Sequence, residues 1–73
     1  MITFIVSKIV NGNEVQLIRE SGWHYINWGE ASHKGKTRTR IETPTGRKPS
    51  INQVHKKFLE ACKAAEYLKF SKL

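Results

Sequence analysis

Four cations occur at every second position in the middle of the chain, a spacing that suits contacts with a row of phosphates. They are Lys34, Lys36, Arg38 and Arg40. In a β-strand alternate side chains point to one face, so the cations would form a row with neighbours about 6.6 Å apart. Like charges at this separation repel unless an anion neutralises them. The pattern therefore predicts a phosphate-contacting strand, and the alternative is a solvated basic strand that protects a sheet edge.

The positive charge of the whole chain is concentrated around this row. The chain has 73 residues and a formal net charge of +7. Residues 33–57 contain eight cations and one acid, Glu42. Besides the row, these cations are Arg47, Lys48, Lys56 and Lys57. Such segregated charge indicates an anionic partner, with nucleic acid first and an acidic protein second.

An aromatic cluster, WHYINW, precedes the row. On a strand, Trp23 and Tyr25 would share one face, while Trp28 would lie on the other face with His24 and Ile26. If a helix covers only one face of the sheet, at least one of these rings is at the surface. An exposed ring can stack on a base, which contributes roughly 1–3 kcal/mol per base, whereas a buried ring only supplies core volume. Trp28 is therefore grouped with the eight cations as a candidate nucleic-acid-binding residue.

The order of the predicted elements is typical of an α+β fold in one domain, residues 1–73. Strand patterns occupy about residues 2–10, 14–20, 23–28 and 36–43. Asn11-Gly12 and Ser21-Gly22 are turn sequences between the first three. We expect an antiparallel sheet of three to four strands packed against one C-terminal helix. The first strand is almost continuously apolar, which predicts a central place in the sheet or burial on both faces.

The helix is predicted at about residues 51–68. Ser50 and Gln53 fit a capping box at its start. Its apolar stripe consists of Ile51, Val54, Phe58, Cys62, Ala65 and Leu68. Lys56 and Glu60 are spaced as an i,i+4 ion pair. Lys56 and Lys57 lie in the second turn, where the helix dipole does not favour cations, so they are expected to face an anion. The helix should fray by about Phe70.

The composition argues against an enzyme. The chain has no aspartate, and its serines, histidines and glutamates show no triad spacing. The histidines are far apart and Cys62 is the single cysteine, so we predict no metal site, no cofactor and no disulfide. A basic nuclease using His24 or His33 is the remaining enzymatic alternative. We therefore expect a non-enzymatic protein.

The sequence predicts an intracellular protein that does not enter membranes. No apolar run approaches the length of a membrane span, and the apolar N-terminus lacks the features of a signal peptide. A lone cysteine suits a reducing compartment such as the cytoplasm. The C-terminal Ser71-Lys72-Leu73 spells a peroxisomal address, which we interpret as a coincidence.

The leading hypothesis is a nucleic-acid-binding module, with DNA favoured over RNA. An antiparallel sheet with a basic face and one C-terminal helix is similar in outline to small sheet-reading DNA-binding domains, such as the arm-binding domains of tyrosine recombinases. That similarity is one of layout and implies a sheet in the major groove. The alternative is an inhibitor or adaptor that docks its basic patch on an acidic partner, such as a nucleic-acid enzyme. In either case the first strand could pair with a partner sheet or with a second copy in a homodimer.

Overall fold

Four antiparallel strands followed by one helix form the fold in the computed structural model, which describes residues 2–67. The elements are β1 (Ile2–Val10), β2 (Asn13–Glu20), β3 (Trp23–Glu30), β4 (Thr37–Arg40) and α1 (Ile51–Ala65). The strands make one sheet in the order β1-β2-β3-β4, with every neighbour antiparallel. The predicted α+β fold, with one C-terminal helix, is confirmed. No helix within residues 2–67 is long and apolar enough to cross a membrane.

Two tight turns set the register of the first three strands. Asn11 and Gly12 have φ angles of 54° and 77°, and Ser21 and Gly22 have 54° and 81°. A two-residue hairpin turn of this kind needs positive φ at both positions, which Gly and Asn adopt readily. Since β2 begins at Asn13, the first loop contains only two residues.

The core lies between α1 and one face of the sheet. Its buried members are Val15, Leu17, Ile26, Ile41, Val54, Phe58, Cys62 and Ala65. Ser50 caps the helix as predicted, because its side chain accepts a hydrogen bond from the Gln53 backbone while the Gln53 side chain accepts from the Ser50 backbone. The other end of the helix is tied to the sheet, since Asn13 Nδ2 donates to the carbonyl of Ala65 at 3.0 Å.

The prediction that β1 is central or doubly buried is wrong. Among the residues that the structure describes, β1 pairs only with β2 and forms one edge of the sheet. Eight of its nine residues are exposed, and its half-buried residue, Val10, packs against the core. The continuous apolar pattern identified a strand correctly but did not report its position, because β2 and β3 already fill the space beneath α1.

Other predicted bounds and contacts also need correction. β4 is shorter than predicted, because Ile41 turns into the core and the chain then leaves the sheet towards Pro44. Ile51 is 56% exposed and lies outside the core, although Val54 in the same turn of α1 is fully buried. Glu60 pairs with Lys57 at 3.6 Å instead of with Lys56. Predictions about Leu68, Phe70 and the Ser71-Lys72-Leu73 signal lie outside the described residues.

Candidate nucleic-acid interface

Within residues 2–67, the helix covers one face of the sheet, and no second layer covers the other, which we call the open face. The register assigns residues to it. Arg40 lies opposite Tyr25, which lies opposite Ile18, while Arg38 lies opposite Asn27. Leu17 and Ile26, which belong to the core, occupy the alternate positions and point towards α1. The residues of the first set therefore point away from α1. The open face therefore brings the two arginines of β4 next to the polar and aromatic side chains of β3.

Three cations lie over two aromatic rings on this face. The guanidinium of Arg40 is 4.3 Å from the ring centroid of Trp23, and the ammonium of Lys48 is 5.4 Å from the same centroid. The guanidinium of Arg38 is 5.5 Å from the centroid of Tyr25. We call these five residues the arginine face. Cation–π contacts at exposed sites contribute about 0.5–1 kcal/mol each, so the rings hold extended cationic side chains in place.

Both arginines also form ion pairs, and these pairs are weak. Arg38 Nη1 lies 2.7 Å from Glu20 Oε1, and Arg40 Nη2 lies 2.8 Å from Glu42 Oε1. All four side chains are between about a third and a half exposed. Ion pairs at this exposure typically contribute about 0–1 kcal/mol. An incoming anion can therefore replace either carboxylate at small cost.

A hydrogen-bonded row of polar groups runs from β4 across the open face. Arg38 Nε donates to Asn27 Oδ1 at 3.3 Å, and Asn27 Nδ2 donates to Gln16 Oε1 at 3.4 Å. The three residues border an open groove of about 570 Å³ beside the loop that follows β3. A guanidinium has five N–H donors, so each arginine retains donors beyond those in the described contacts. This arrangement can bind phosphate oxygens or the acceptor atoms of a base.

Lys36 supports the loop between β3 and β4 instead of projecting into solvent. Its side chain is only 10% exposed and lies against Gly29, where an added Cβ would be 3.1 Å from the Lys36 Cδ. Its ammonium lies 3.4 Å from Glu14 Oε1 and donates to the carbonyls of Glu30 and His33. A hydrogen bond from Ser7 lowers the pKa of Glu14, and the Lys36 contact acts in the same direction. The predicted row of four cations is thus reduced to Arg38 and Arg40 on one face.

The other predicted site residues lie elsewhere. Lys34 and Arg47 are exposed in the loops before and after β4. Lys56 and Lys57 are exposed on α1, on the opposite side of the sheet from the arginine face. Trp28 points to the helix side, packs partly against the core, and its Nε1 donates to Thr39 Oγ1 at 3.3 Å. One flat ligand therefore cannot contact all nine predicted residues together.

Two residues of the arginine face were absent from the predicted set. Trp23 and Tyr25 were recognised as sharing a face, but their relation to the arginines depends on the pairing of β3 with β4. The alternation of side chains within β3 and within β4 can be read from the sequence. The loop between the two strands is too long to fix the register of their pairing. The sequence signal for this face is the alternation itself, since both strands carry their large polar or aromatic side chains at alternate positions. This signal identifies a face on each strand but does not show that the two faces are the same.

His24, His55 and Cys62 lie on the helix side, away from the arginine face, whereas His33 borders the groove beside Arg38. Burial lowers the pKa of His24, which is on the helix side, and the charges of Arg19 and His55 act in the same direction. Burial raises the pKa of the Cys62 thiol. Within the described part of the chain, no three His, Cys or Glu side chains are grouped so that they could hold a metal ion.

Comparisons with protein-family models, curated proteins and solved structures gave no match for this chain. Its function is therefore inferred from the residues and geometry described above.

Proposed function

We propose that the protein is a non-enzymatic nucleic-acid-binding module whose contact surface is the arginine face. The observation that carries this proposal is the pair Arg38 and Arg40, which lie on an uncovered sheet face over aromatic rings. Arginine binds phosphate and base edges through paired donors, and it is held here by contacts that cost little to exchange. Lys48 belongs to this surface, Lys34 borders the same groove as Arg38, and the exposed Arg47 precedes Lys48 in the chain, so all three would add phosphate contacts.

Duplex DNA is the nucleic acid that this surface fits best. The rings of Trp23 and Tyr25 already have cations over them, so a base would have to displace an arginine or lysine before stacking. The major groove admits an element as wide as two β-strands, and β3 with β4 forms a pair of that width at one edge of the sheet. Arg38 could then donate to guanine, and the neighbouring amides of Asn27 and Gln16 are suited to adenine.

A binding role is favoured over catalysis by the chemistry of this surface. The arginine face consists of guanidinium, ammonium, indole and phenol groups. General acid–base catalysis is carried out most often by imidazole or carboxyl groups, and the five residues of the arginine face include neither. The residues instead offer charge, hydrogen-bond donors and planar surface, which are the requirements of recognition.

Fluorescence anisotropy with labelled duplex DNA, single-stranded DNA and RNA across a salt series tests the proposal. If five cations neutralise five phosphates, the slope of log K against log salt concentration for duplex DNA should be about −4 to −5. Arg38→Ala with Arg40→Ala should reduce the magnitude of this slope by about 2 without unfolding the protein. Absence of binding at low salt, or a double variant that binds like the wild type, would overturn the proposal.

Two further double variants test whether the loss of DNA affinity comes from the arginine face or from any reduction of the net positive charge. Arg19→Ala with Lys63→Ala removes the same charge away from the arginine face, and this control should change the slope far less. Lys56→Ala with Lys57→Ala removes the same charge from the helix side. If this helix variant loses as much affinity as the arginine variant, the nucleic acid contacts the helix side as well and the open face alone is insufficient.

Removal of the competing carboxylates provides a test with the opposite sign. Glu20→Gln with Glu42→Gln would free both guanidinium groups from their ion pairs while leaving similar shapes. We expect duplex DNA to bind about tenfold more tightly, which corresponds to about 1.4 kcal/mol. An unchanged or weaker affinity would show that a nucleic acid does not use the donors that these carboxylates now occupy.

An acidic protein is the second candidate partner, and one observation favours it. Trp, Tyr and Arg are the residue types enriched at binding hot spots between proteins, and the arginine face combines all three with acidic neighbours. Such an interface would depend more on the ring of Trp23 than on total charge. Failure to bind any nucleic acid at low salt, with the fold intact, would favour this candidate.

A further inference from the structure

We propose that strand β1 is a dimerisation edge, which pairs with β1 of a second copy of the chain. β1 is nine residues long, and in the described part of the chain it has a strand neighbour on one side only. The outward-pointing N–H and C=O groups of an edge strand form a template for another strand. Antiparallel pairing of β1 with β1 of a second chain is self-complementary. It occupies the β1 edge of each chain, so assembly through this edge stops at a dimer.

The two edges of the sheet differ in the features that normally prevent such pairing. β4, at the other edge, has only four residues and two of them are arginines. Short length and charge are the usual ways of protecting an edge. β1 has a single charged residue, Lys8, and presents five large apolar side chains to solvent. These are Ile2, Phe4, Ile5, Val6 and Ile9, of which Phe4 and Ile9 are 66% and 68% exposed.

The exposed apolar surface lies on both sides of β1. Val6 is opposite Leu17 and therefore points to the helix side, whereas Phe4 is opposite Ile18 and points to the open face. A strand laid along β1 would therefore gain apolar contacts above and below its backbone. Burial of apolar area is the main favourable term in association, and a domain of this size has little area of its own to bury.

Leu59 extends this surface onto the helix. Lys57 borders a groove with Ile26 and Ile41, which places that flank of α1 towards β3 and β4. Residues of an α-helix follow one another at about 100°, so Leu59 lies on the opposite flank, towards β1. Its side chain is exposed. A second copy seated along β1 would cover it.

The distribution of charge permits two copies to meet at this edge. A net charge of +7 per chain opposes association, but Arg38 and Arg40 lie three strands away, about 14 Å across the sheet. An axis at Ser7 would place each Lys8 opposite Val6 of the other copy and so avoid a lysine–lysine pair. The ladder of β1 is irregular between Phe4 and Val6, so pairing about this axis is expected to be regular for Val6, Ser7 and Lys8.

Sedimentation velocity of the full chain from micromolar to millimolar concentration tests the dimer. Ile9→Lys should weaken dimerisation by about tenfold or more, because two lysines would be buried at the new ladder. Thr37→Lys adds the same side chain to the β4 edge and should leave dimerisation unchanged. A wild-type chain that is monomeric throughout this range, or a dimer that is equally sensitive to both variants, would overturn the proposal.

Oxidative cross-linking tests the position of the axis. Opposed residues in an antiparallel pair have Cα atoms about 4.5–5.5 Å apart, which is within the range of a disulfide. Ser7→Cys should therefore form a covalent dimer under mild oxidation, while Thr37→Cys, at the other edge, should not. Cys62 is buried and does not compete. Equal cross-linking of both variants would argue against pairing through β1.

Discussion

The two faces of the sheet have different compositions and different consequences for the protein. The helix side contains the buried apolar residues of β2, β3 and α1. The open face contains arginines, aromatic rings and amides that are linked by weak, exposed contacts. Burial of apolar side chains stabilises a fold far more than exposed ion pairs do. Stability should therefore depend on the helix side, which leaves the open face available for binding.

Ile18 is the exception that limits this division. It is fully buried although it belongs to the open face, where Phe4 and Tyr25 are its cross-strand partners. The open face therefore has a small apolar centre of its own beneath the polar and charged side chains. This centre anchors the middle of the sheet on the side that lacks a helix.

Two matched phenylalanine substitutions, one on each side of the sheet, should show the largest difference in the free energy of unfolding. Phe58 on α1 is 6% exposed within the core, so Phe58→Ala should cost about 3–5 kcal/mol, enough to unfold much of so small a domain. Phe4 on the open face is mostly exposed, so Phe4→Ala should cost less than about 1 kcal/mol. Urea denaturation followed by circular dichroism measures both. Similar losses for the two variants would show that stability is shared between the faces.

A pair of asparagine substitutions should show a smaller difference of the same kind. Asn13 is 1% exposed and donates to the Ala65 carbonyl, so Asn13→Ala removes a buried hydrogen bond and should cost about 1–3 kcal/mol. Asn27 makes only long hydrogen bonds on the open face, so Asn27→Ala should change stability by within about 0.5 kcal/mol. The midpoints of chemical denaturation compare them. An Asn27 variant that is the less stable of the two would contradict the assignment of stability to the helix side.

Much of the fold could be predicted because local signals agreed with one another. Asn11-Gly12 and Ser21-Gly22 specify tight turns, and Ser50 with Gln53 specifies where the helix begins. These signals depend on a few neighbouring residues and on backbone angles. The position of β1 at an edge could not be predicted in the same way, because strand order depends on which hairpins pack beneath α1.

The candidate site was harder to predict, because it depends on contacts between strands. The alternation of Arg38 and Arg40 correctly predicted that they share a face. The role of Lys36 in supporting a loop depends on its closeness to Glu14, which is distant along the chain. The side on which Trp28 lies relative to the arginines likewise depends on the register between β3 and β4. Long-range register of this kind is not encoded in the period of a single strand.

A change of pH should distinguish the two faces with the smallest effect. His24 is on the helix side, and burial lowers its pKa below the ordinary value of 6.5. In the unfolded chain this histidine binds a proton first as the pH falls, so its contribution to stability is present above pH 6.5 and is lost as the pH falls from there towards the lower pKa of the folded state. The arginine face contains no imidazole, so we expect this effect to belong to the helix side.

Thermal unfolding of the wild type and His24→Gln between neutral and mildly acidic pH measures this effect. The wild type should lose stability on acidification, and the variant should lose less. His33→Gln is the matched control, since it replaces an exposed imidazole in the loop after β3. If His24→Gln and His33→Gln change the pH dependence equally, the effect is not due to burial on the helix side. The same samples should bind duplex DNA through Arg38 and Arg40 with little dependence on the protonation of His24, provided that the protein remains folded.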